Sequence, residues 1–358
     1  MVDAPVSEPQ VLESLRVVQD PDLGRDIVAL GFIKDLRICG GNVAFTIELT
    51  TPACPVKDQM KAEAEAAVGK LPGVDSVVVN LSARVAASKP SYDERPPVPG
   101  ARNVIAVSSG KGGVGKSTVA VNLACALHLA GAKTGILDAD LYGPNVPMML
   151  GVSGKPEGRG DKIFPFVREG VQVMSIGLLV PEEQPVIWRG PMLHKAINQF
   201  LFDVLWDDLD YLFVDLPPGT GDAQLSLAQQ AHLAGAIVVT TPQNVAVHDV
   251  RKAVRMFDTV KVPVLGVVEN MAWFQPPGSG ERFAIFGEGG GQRIEREFEI
   301  PLLGQLPIDL AVREGGDTGR PAVITHPDSA FSQGFRELAS QVAARISTRN
   351  AQPPAAST

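Results

Sequence analysis

The sequence predicts a doubly wound α/β domain with a mainly parallel sheet, preceded by a small α+β domain. Between residues 103 and 349, short apolar runs alternate with longer helical stretches, which is the pattern of a parallel sheet covered on both faces. Within residues 1–87 the apolar positions follow helical and alternating patterns instead. Residues 88–102 contain four prolines and a glycine, which predicts a semi-rigid linker between the two domains.

Residues 1–87 predict two helices and three strands. The periodicity of Val11–Val18 indicates a short amphipathic helix that ends before Asp20-Pro21. Apolar and polar residues then alternate on both sides of Gly40-Gly41-Asn42, which predicts a β-hairpin with one buried face. An Ala/Glu-rich helix is expected over Lys57–Val68, and one more strand over Ser76–Leu81.

Five apolar runs after the linker predict the strands of the parallel sheet. They cover Val104–Val107, Thr134–Leu137, Tyr211–Val214, Ala236–Val239 and Val264–Val268. Each run is apolar throughout, as expected for strands that are buried on both faces. Residues 350–358 are polar and rich in proline and alanine, so we expect a disordered tail there.

The composition excludes several classes of protein. The chain has 358 residues, of which 45% are hydrophobic and 20% charged, so it can bury a large core. Its net charge of −8 argues against binding to nucleic acid through phosphates. The amino terminus does not resemble a secretory signal and no apolar run is long enough for a bilayer, so we expect a cytoplasmic protein without a membrane partner. The three cysteines Cys39, Cys54 and Cys125 exclude a disulfide scaffold and a Cys-x-x-Cys metal clasp.

A complete phosphate-binding loop follows the first apolar run after the linker. Its residues are Gly110, Lys111, Gly112, Gly113, Val114, Gly115, Lys116, Ser117 and Thr118. The glycines let backbone N–H groups surround phosphate oxygens, and the helix that begins near Ser117 supplies a favourable partial charge. Lys116 is expected to bridge the β- and γ-phosphates of ATP, while the Ser117 hydroxyl ligates Mg²⁺.

Acidic residues end two of the predicted strands, where open α/β sheets bind their ligands. Asp215 is the expected Walker B residue, which holds Mg²⁺ through water, and Asp138 can share that task. Asp140 is a candidate for orienting the attacking water, although an aspartate at a strand end is also a common turn cap. Asn270, which follows the strand Val264–Val268, is placed to recognise the adenine edge with its amide.

Together these residues resemble the Mrp/ApbC family of iron–sulfur cluster carrier ATPases, in the MinD-like branch of P-loop proteins. The supporting stretches are Asp140–Pro147, Trp188–Met192, Asp215–Asp222, Thr241–Asp249 and Arg313–Pro321. The amino-terminal region resembles the small cluster-assembly domain often fused to this family, with its characteristic segment at Thr51–Pro55. The resemblance implies ATP and Mg²⁺ as ligands, a 4Fe–4S cluster as candidate cargo, and apo iron–sulfur proteins and cluster-assembly factors as partners.

The resemblance also assigns a role to Lys111. A second lysine early in the loop marks the deviant Walker A motif, in which this lysine reaches across a homodimer interface to the partner's nucleotide. There it would place positive charge where the transition state accumulates negative charge, as an arginine finger does. Hydrolysis is therefore expected to be slow and to depend on dimerisation, and the catalytic set is Lys111, Lys116, Asp140 and Asp215.

The chain departs from the family at the expected cluster site. Family members usually carry Cys-x-x-Cys shortly after the Glu-Asn-Met motif, and two such pairs from a dimer can hold one bridging cluster. Pro276 and Ser279 occupy those positions here. Proline offers no ligand, and a serine hydroxyl is a poor substitute for the soft thiolate that iron prefers. The usual cluster site is therefore absent from this sequence.

Cys54 is the remaining candidate for a contact with iron. It comes just before the helix that starts at Lys57, where backbone N–H groups are expected to lower the pKa of its thiol. An ordinary loop cysteine is an equally good interpretation. Cys39 and Cys125 are better explained as structural or incidental residues.

Three functions are compatible with these sequence motifs to different degrees. The first is a nucleotide-switched, homodimeric ATPase that carries iron–sulfur clusters to apoproteins. An ATP-dependent maturation adaptor that carries no cluster itself is the alternative, favoured by Pro276 and Ser279. A positioning ATPase of the MinD or partition kind is less favoured. Such a protein needs a basic amphipathic membrane helix or a DNA-binding patch, and the acidic net charge and the polar, Pro/Ala-rich C-terminus of this sequence argue against both.

Overall fold

The computed structural model describes residues 6–89, 95–140, 143–179 and 190–352 of the chain. Its contacts divide the chain into two compact units. The first comprises the residues up to Ala86 together with Ala343–Gln352, and the second comprises Ala87–Val342.

The first unit contains a three-stranded sheet and two helices. The helices are α1 (Glu8–Leu15) and α2 (Lys57–Val68). Two-residue strands pair as β1 (Gln19–Asp20) with β2 (Arg25–Asp26), and the sheet consists of β3 (Ile33–Cys39), β4 (Asn42–Leu49) and β5 (Ser76–Ala83) in that order. β3 and β4 are antiparallel, whereas β4 and β5 are parallel. The inward-facing residues of β4 and the buried residues of both helices belong to a single apolar core.

The predicted hairpin and the helix Lys57–Val68 are confirmed, but the first helix is displaced. It starts at Glu8 rather than Val11 and ends at Leu15 rather than Val18. Ser7 forms a capping box with Gln10, whose side-chain oxygen accepts a hydrogen bond from the Ser7 amide at 2.9 Å. This cap fixes the start of the helix three residues earlier than its apolar pattern indicates.

The second unit is built on a sheet that has eight strands within the described residues. Its members in chain order are β6 (Ala101–Ser109), β7 (Thr134–Asp138), β10 (Phe166–Arg168), β11 (Val171–Ser175), β12 (Leu209–Asp215), β13 (Gly235–Thr240), β14 (Val264–Glu269) and β15 (Leu302–Gln305). The spatial order is β10-β11-β7-β12-β6-β13-β14-β15, and all pairs are parallel except β10 with β11. A two-residue ribbon, β8 (Gly158–Arg159) with β9 (Lys162–Ile163), stands apart from this sheet. The predicted fold class is therefore confirmed.

Helices connect the strands of this sheet, and three more helices of the described chain follow its last strand. They are α3 (Lys116–Leu129), α4 (Val146–Leu150), α5 (Gly190–Phe202), α6 (Asp222–Gln230), α7 (Asn244–Thr259), α8 (Gly290–Phe298), α9 (Leu310–Thr318), α10 (Ala322–Thr325) and α11 (Ala330–Ala351). α3 packs on β7 and β12, α7 on β13, and α8 on β14. The last helix continues through Ala351, so the first residues of the expected 350–358 tail are helical, and residues 353–358 lie outside the described part.

The first strand of the large sheet is also longer than predicted. It begins at Ala101 rather than Val104, so the last two residues of the predicted 88–102 linker belong to the sheet. The Arg102 guanidinium contacts the carboxylates of Asp208 and Asp210 at 2.7 and 2.5 Å, which secures β6 against the start of β12.

None of the helices in the described ranges combines the length and apolar character that a bilayer crossing needs.

Candidate active site

The phosphate-binding loop joins β6 to α3, as the sequence predicts. Gly115 is the N-cap of α3 and, like Gly113, has a positive φ of 79°. A side chain at Gly115 would be strained and would also overlap the amide of Asn270. The loop and the first turn of α3, including Ser117 and Thr118, line a cleft of about 170 Å³.

Two residues that line this cleft, Lys116 and Ser117, form a buried cluster with Asp215. Lys116 is 6% exposed, and its ammonium donates a hydrogen bond to Asp215 Oδ1 at 2.6 Å. The Ser117 hydroxyl donates a hydrogen bond to Asp215 Oδ2 at 2.5 Å. Burial raises the pKa of Asp215, and the nearby Lys116 ammonium opposes that shift. The structure therefore brings together the three residues that were predicted to hold phosphate and Mg²⁺.

Asp140 belongs to the same cluster, whereas Asp138 has different partners. One carboxylate oxygen of Asp140 lies 3.8 Å from the Lys116 ammonium. Asp138 is in register with Asp215 on the neighbouring strand, but it accepts hydrogen bonds from the Asp140 amide at 3.1 Å and the Ser175 hydroxyl at 3.0 Å. Burial and the Asp215 carboxylate raise the pKa of Asp138 to about 8. Its role in binding Mg²⁺ stays a prediction.

Lys111 contacts its own chain outside the buried cluster. It is half-buried, and its ammonium donates to the Gln243 side-chain oxygen at 3.3 Å, at the N-cap of α7. The Ser109 hydroxyl donates to the Lys111 carbonyl at 3.0 Å and so fixes the start of the loop.

Asn270 supports the phosphate loop directly, which sequence reasoning missed. Its side-chain amide donates to the Val114 carbonyl at 2.9 Å, and its backbone amide donates to Thr240 at 2.8 Å. The two bonded residues Val114 and Asn270 are 156 positions apart in the sequence. Recognition of adenine by Asn270 remains a prediction.

The residues at the expected cysteine positions form a tight turn. The Ser279 amide donates to the Pro276 carbonyl at 3.0 Å, with Pro277 and Gly278 at the centre of the turn and a φ of 76° at Gly278. The turn closes a hairpin in which Phe274 and Phe283 exchange backbone hydrogen bonds at 2.9 and 2.8 Å. We call residues 272–286 the proline hairpin.

An unpredicted contact connects the two sides of the proline hairpin. The Arg282 guanidinium lies 4.5 Å from the centre of the Trp273 ring, in a cation–π geometry. The spacing of Trp273 and Arg282 in the sequence does not predict this contact, because the contact depends on the register of the hairpin.

Family comparison identifies both parts of the chain. A model of the NUBPL iron-transfer P-loop NTPase family matches residues 100–343, and a model of an iron–sulfur cluster assembly protein family matches residues 8–81. The chain belongs to the NUBPL iron-transfer P-loop NTPase family. The predicted family of iron–sulfur carriers and assembly factors is thereby confirmed.

Named members of this iron-transfer NTPase family align along most of the chain. The iron-sulfur cluster carrier protein of Synechocystis sp. is 49% identical over 343 residues, covering 94% of this chain and 97% of the relative. A chloroplastic Fe-S cluster assembly factor of Arabidopsis thaliana is 46% identical over 344 residues, covering 94% of this chain and 63% of the relative.

Solved structures agree with the fold of the iron-transfer NTPase unit. A nucleotide-binding protein from Archaeoglobus fulgidus in complex with ADP is 40% identical with a TM-score of 0.58, covering 66% of this chain and 93% of its own. The cell division ATPase MinD of Pyrococcus furiosus is 26% identical with a TM-score of 0.51, covering 67% of this chain and 98% of its own.

The cysteines of this family member correct one expectation. Cys54 is 6% exposed and packs within the core of the first unit. Burial raises the pKa of its thiol more than the backbone hydrogen bond of Val56 at the helix start lowers it, and the Asp22 and Asp20 carboxylates raise it further, so the predicted net lowering is wrong. Cys125 is buried with its pKa raised to about 12, whereas Cys39 is exposed.

No cluster of three or more His, Cys, Asp or Glu side chains suited to a metal ion occurs in the described part of the chain. Leu141, Tyr142 and the segment 180–189, which includes Trp188, lie outside the described residues, as does the side chain of Asp222.

Proposed function

We propose that the chain is an ATP-binding and ATP-hydrolysing iron–sulfur cluster carrier or assembly factor that acts as a nucleotide-switched homodimer. The observation that carries this proposal is the buried cluster in which Lys116 and Ser117 of a complete phosphate-binding loop contact Asp215 at the end of β12. Its family membership supplies the iron–sulfur part of the proposal.

The donor set of the cleft suits Mg²⁺ bound to a nucleotide. The Ser117 hydroxyl and the Asp215 carboxylate are already 2.5 Å apart, and oxygen donors are what Mg²⁺ prefers. Bound Mg²⁺ would neutralise phosphate charge. In our proposal Lys116 exchanges Asp215 for the β- and γ-phosphates when ATP binds, and Asp140, beside Lys116, orients the attacking water.

The homodimer is proposed from the position of Lys111. Within one chain its ammonium contacts Gln243 rather than the buried cluster. We propose that ATP draws two chains together so that each Lys111 serves the nucleotide of the other chain, which makes hydrolysis depend on the dimer.

Cys54 is the proposed contact for a 4Fe–4S cluster. One thiolate from each chain, completed by a partner protein or a small thiol, would supply the soft ligands that iron needs. Because burial raises the pKa of the Cys54 thiol, the thiolate forms only at higher pH, so we expect iron uptake through Cys54 to increase as the pH rises.

A maturation adaptor without its own cluster is the second candidate function. It is favoured by the proline hairpin, where a turn of Pro276 and Ser279 stands at the expected cysteine positions, and by the burial of Cys54. For either function we propose a cytoplasmic protein whose partners are apo iron–sulfur proteins and cluster-assembly factors, without nucleic acid.

Anaerobic cluster reconstitution separates the two functions. We expect the wild-type protein to take up iron and sulfide, read by visible absorbance and iron content. Cys54→Ala should lose this uptake, and Cys39→Ala, which removes an exposed thiol, should keep it. A wild-type protein that remains free of iron would exclude the carrier and favour the adaptor.

A gain-of-function variant tests the interpretation of the proline hairpin. In Pro276→Cys/Ser279→Cys the two thiols stand at the first and last positions of a tight turn, close enough for joint ligation. We expect this variant to bind one cluster per two chains even when Cys54 is alanine. Failure to gain iron, in a variant that unfolds at the wild-type temperature, would contradict the assignment of these positions.

A further inference from the structure

The chain that joins β7 to α4 carries Asp140. The Asp138 carboxylate accepts one hydrogen bond from this chain before residues 141–142 and another from the start of α4 after them. Asp138 Oδ1 accepts a hydrogen bond from the Asp140 amide at 3.1 Å, and Asp138 Oδ2 accepts one from the Val146 amide at 3.3 Å. The Asp138 side chain therefore fixes the backbone that presents Asp140 to Lys116.

A neighbouring strand fixes the Asp138 carboxylate in turn. Ser175, at the end of β11, is opposite Asp138 in the parallel register and is fully buried. Its hydroxyl donates to Asp138 Oδ2 at 3.0 Å and accepts from the Gly177 amide at 3.1 Å. The Gly177 amide uses one lone pair of the hydroxyl oxygen and leaves the hydroxyl proton available for Asp138 Oδ2.

Gly177, in the short helical turn Ile176–Leu178 that follows β11, packs against the chain that joins β7 to α4. A Cβ atom placed on Gly177 would lie 2.6 Å from Pro144 Cγ, so the Pro144 ring packs directly against the backbone of this glycine. Ser175 thus contacts the end of β7 through a hydrogen bond, and Gly177 contacts the chain that follows β7 through packing; the two contacts are independent of each other.

We propose that Ser175 is a positioning residue for ATP hydrolysis, which holds Asp140 in place through the Asp138 carboxylate. The Ser175 hydroxyl has its hydrogen bonds with Asp138 and Gly177 rather than with Lys116 or Ser117, so we expect its effect to reach the phosphate site through Asp138. The inference deepens the proposed ATPase function and rests on it for its kinetic consequence, but its structural consequence does not depend on hydrolysis.

The first test is amide hydrogen exchange in the full-length protein without nucleotide. Ser175→Ala removes the hydroxyl that orients Asp138, so we expect faster exchange at the Asp140 and Val146 amides. The matched control is Ser108→Ala on β6. Ser108 is also fully buried, and its hydroxyl has no hydrogen-bond partner among the described residues, so its removal should leave both amides unchanged.

The second test is steady-state ATP hydrolysis. Ser175→Ala is expected to lower kcat about tenfold, because Asp140 loses the support that the hydrogen bond from Ser175 gives to Asp138, with ATP affinity unchanged. Ser175→Thr keeps a hydroxyl at this position and should restore both kcat and the slow exchange. A purely structural role would instead lower thermal stability and affinity together.

Two results would overturn the proposal. One is unchanged exchange at Asp140 and Val146 in Ser175→Ala, and the other is a kcat loss that Ser108→Ala reproduces. If the wild-type protein does not hydrolyse ATP, the proposed function fails, yet the exchange measurement still decides whether Ser175 holds this part of the chain.

Discussion

Replacing Lys116 by alanine is expected to abolish ATP binding. Its ammonium is the only side-chain cation within the described part of the buried cluster at Asp215, and phosphate binding depends on that charge. Titration calorimetry with ATP and Mg²⁺ should show no binding to Lys116→Ala. Lys133→Ala, which removes an exposed lysine just before β7, should bind as the wild type does.

The same variant should also lose stability, for a separable reason. Without Lys116 the fully buried Asp215 carboxylate has no ammonium partner, which typically costs about 3–5 kcal/mol. Protonation relieves that cost, so the loss should shrink as the pH is lowered. The double variant Lys116→Ala/Asp215→Asn should regain much of the stability without regaining ATP binding. Tight ATP binding by Lys116→Ala would contradict the assignment of the phosphate loop.

Replacing Lys111 by alanine is expected to abolish hydrolysis and preserve binding. Lys111 lies outside the buried cluster and contacts Gln243, so the cis phosphate site remains intact without it. A charge supplied to the transition state by a partner is worth about 10³–10⁵ in kcat. Phosphate release by Lys111→Ala should therefore fall by at least about 10³-fold, while calorimetry gives the wild-type affinity.

Mixing two inactive variants reveals which chain supplies the lysine. In a heterodimer of Lys111→Ala with Lys116→Ala, the first chain keeps its own phosphate site and receives Lys111 from the second. One of the two sites is then complete, so activity should reappear on mixing. No recovery at any mixing ratio, in chains that still associate, would show that Lys111 acts on the nucleotide of its own chain.

The sequence predicts the fold and the phosphate site well because both depend on local patterns. Apolar runs that are buried on both faces define the parallel strands, and the glycine and lysine spacing defines the loop between β6 and α3. Asp215 could be predicted for the same reason, since the end of a strand beside β6 must lie next to the loop.

The contacts that sequence reasoning missed depend on distant parts of the chain. The bond from Asn270 to Val114 and the bond from Ser175 to Asp138 each join residues brought together only by the order of the strands. The error at Cys54 has a related cause. Its position before a helix is visible in the sequence, but its burial beside Asp20 and Asp22 is a tertiary property, and burial determines the direction of its pKa shift.

The most direct test of a nucleotide-switched carrier is the rate at which an apo-aconitase reporter regains activity from the anaerobically reconstituted protein. The rate should be compared with and without ATP and Mg²⁺, for the wild type and for Lys116→Ala. We predict that ATP changes the transfer rate of the wild type and leaves that of Lys116→Ala unchanged. Equal wild-type rates with and without ATP would contradict the proposed switch.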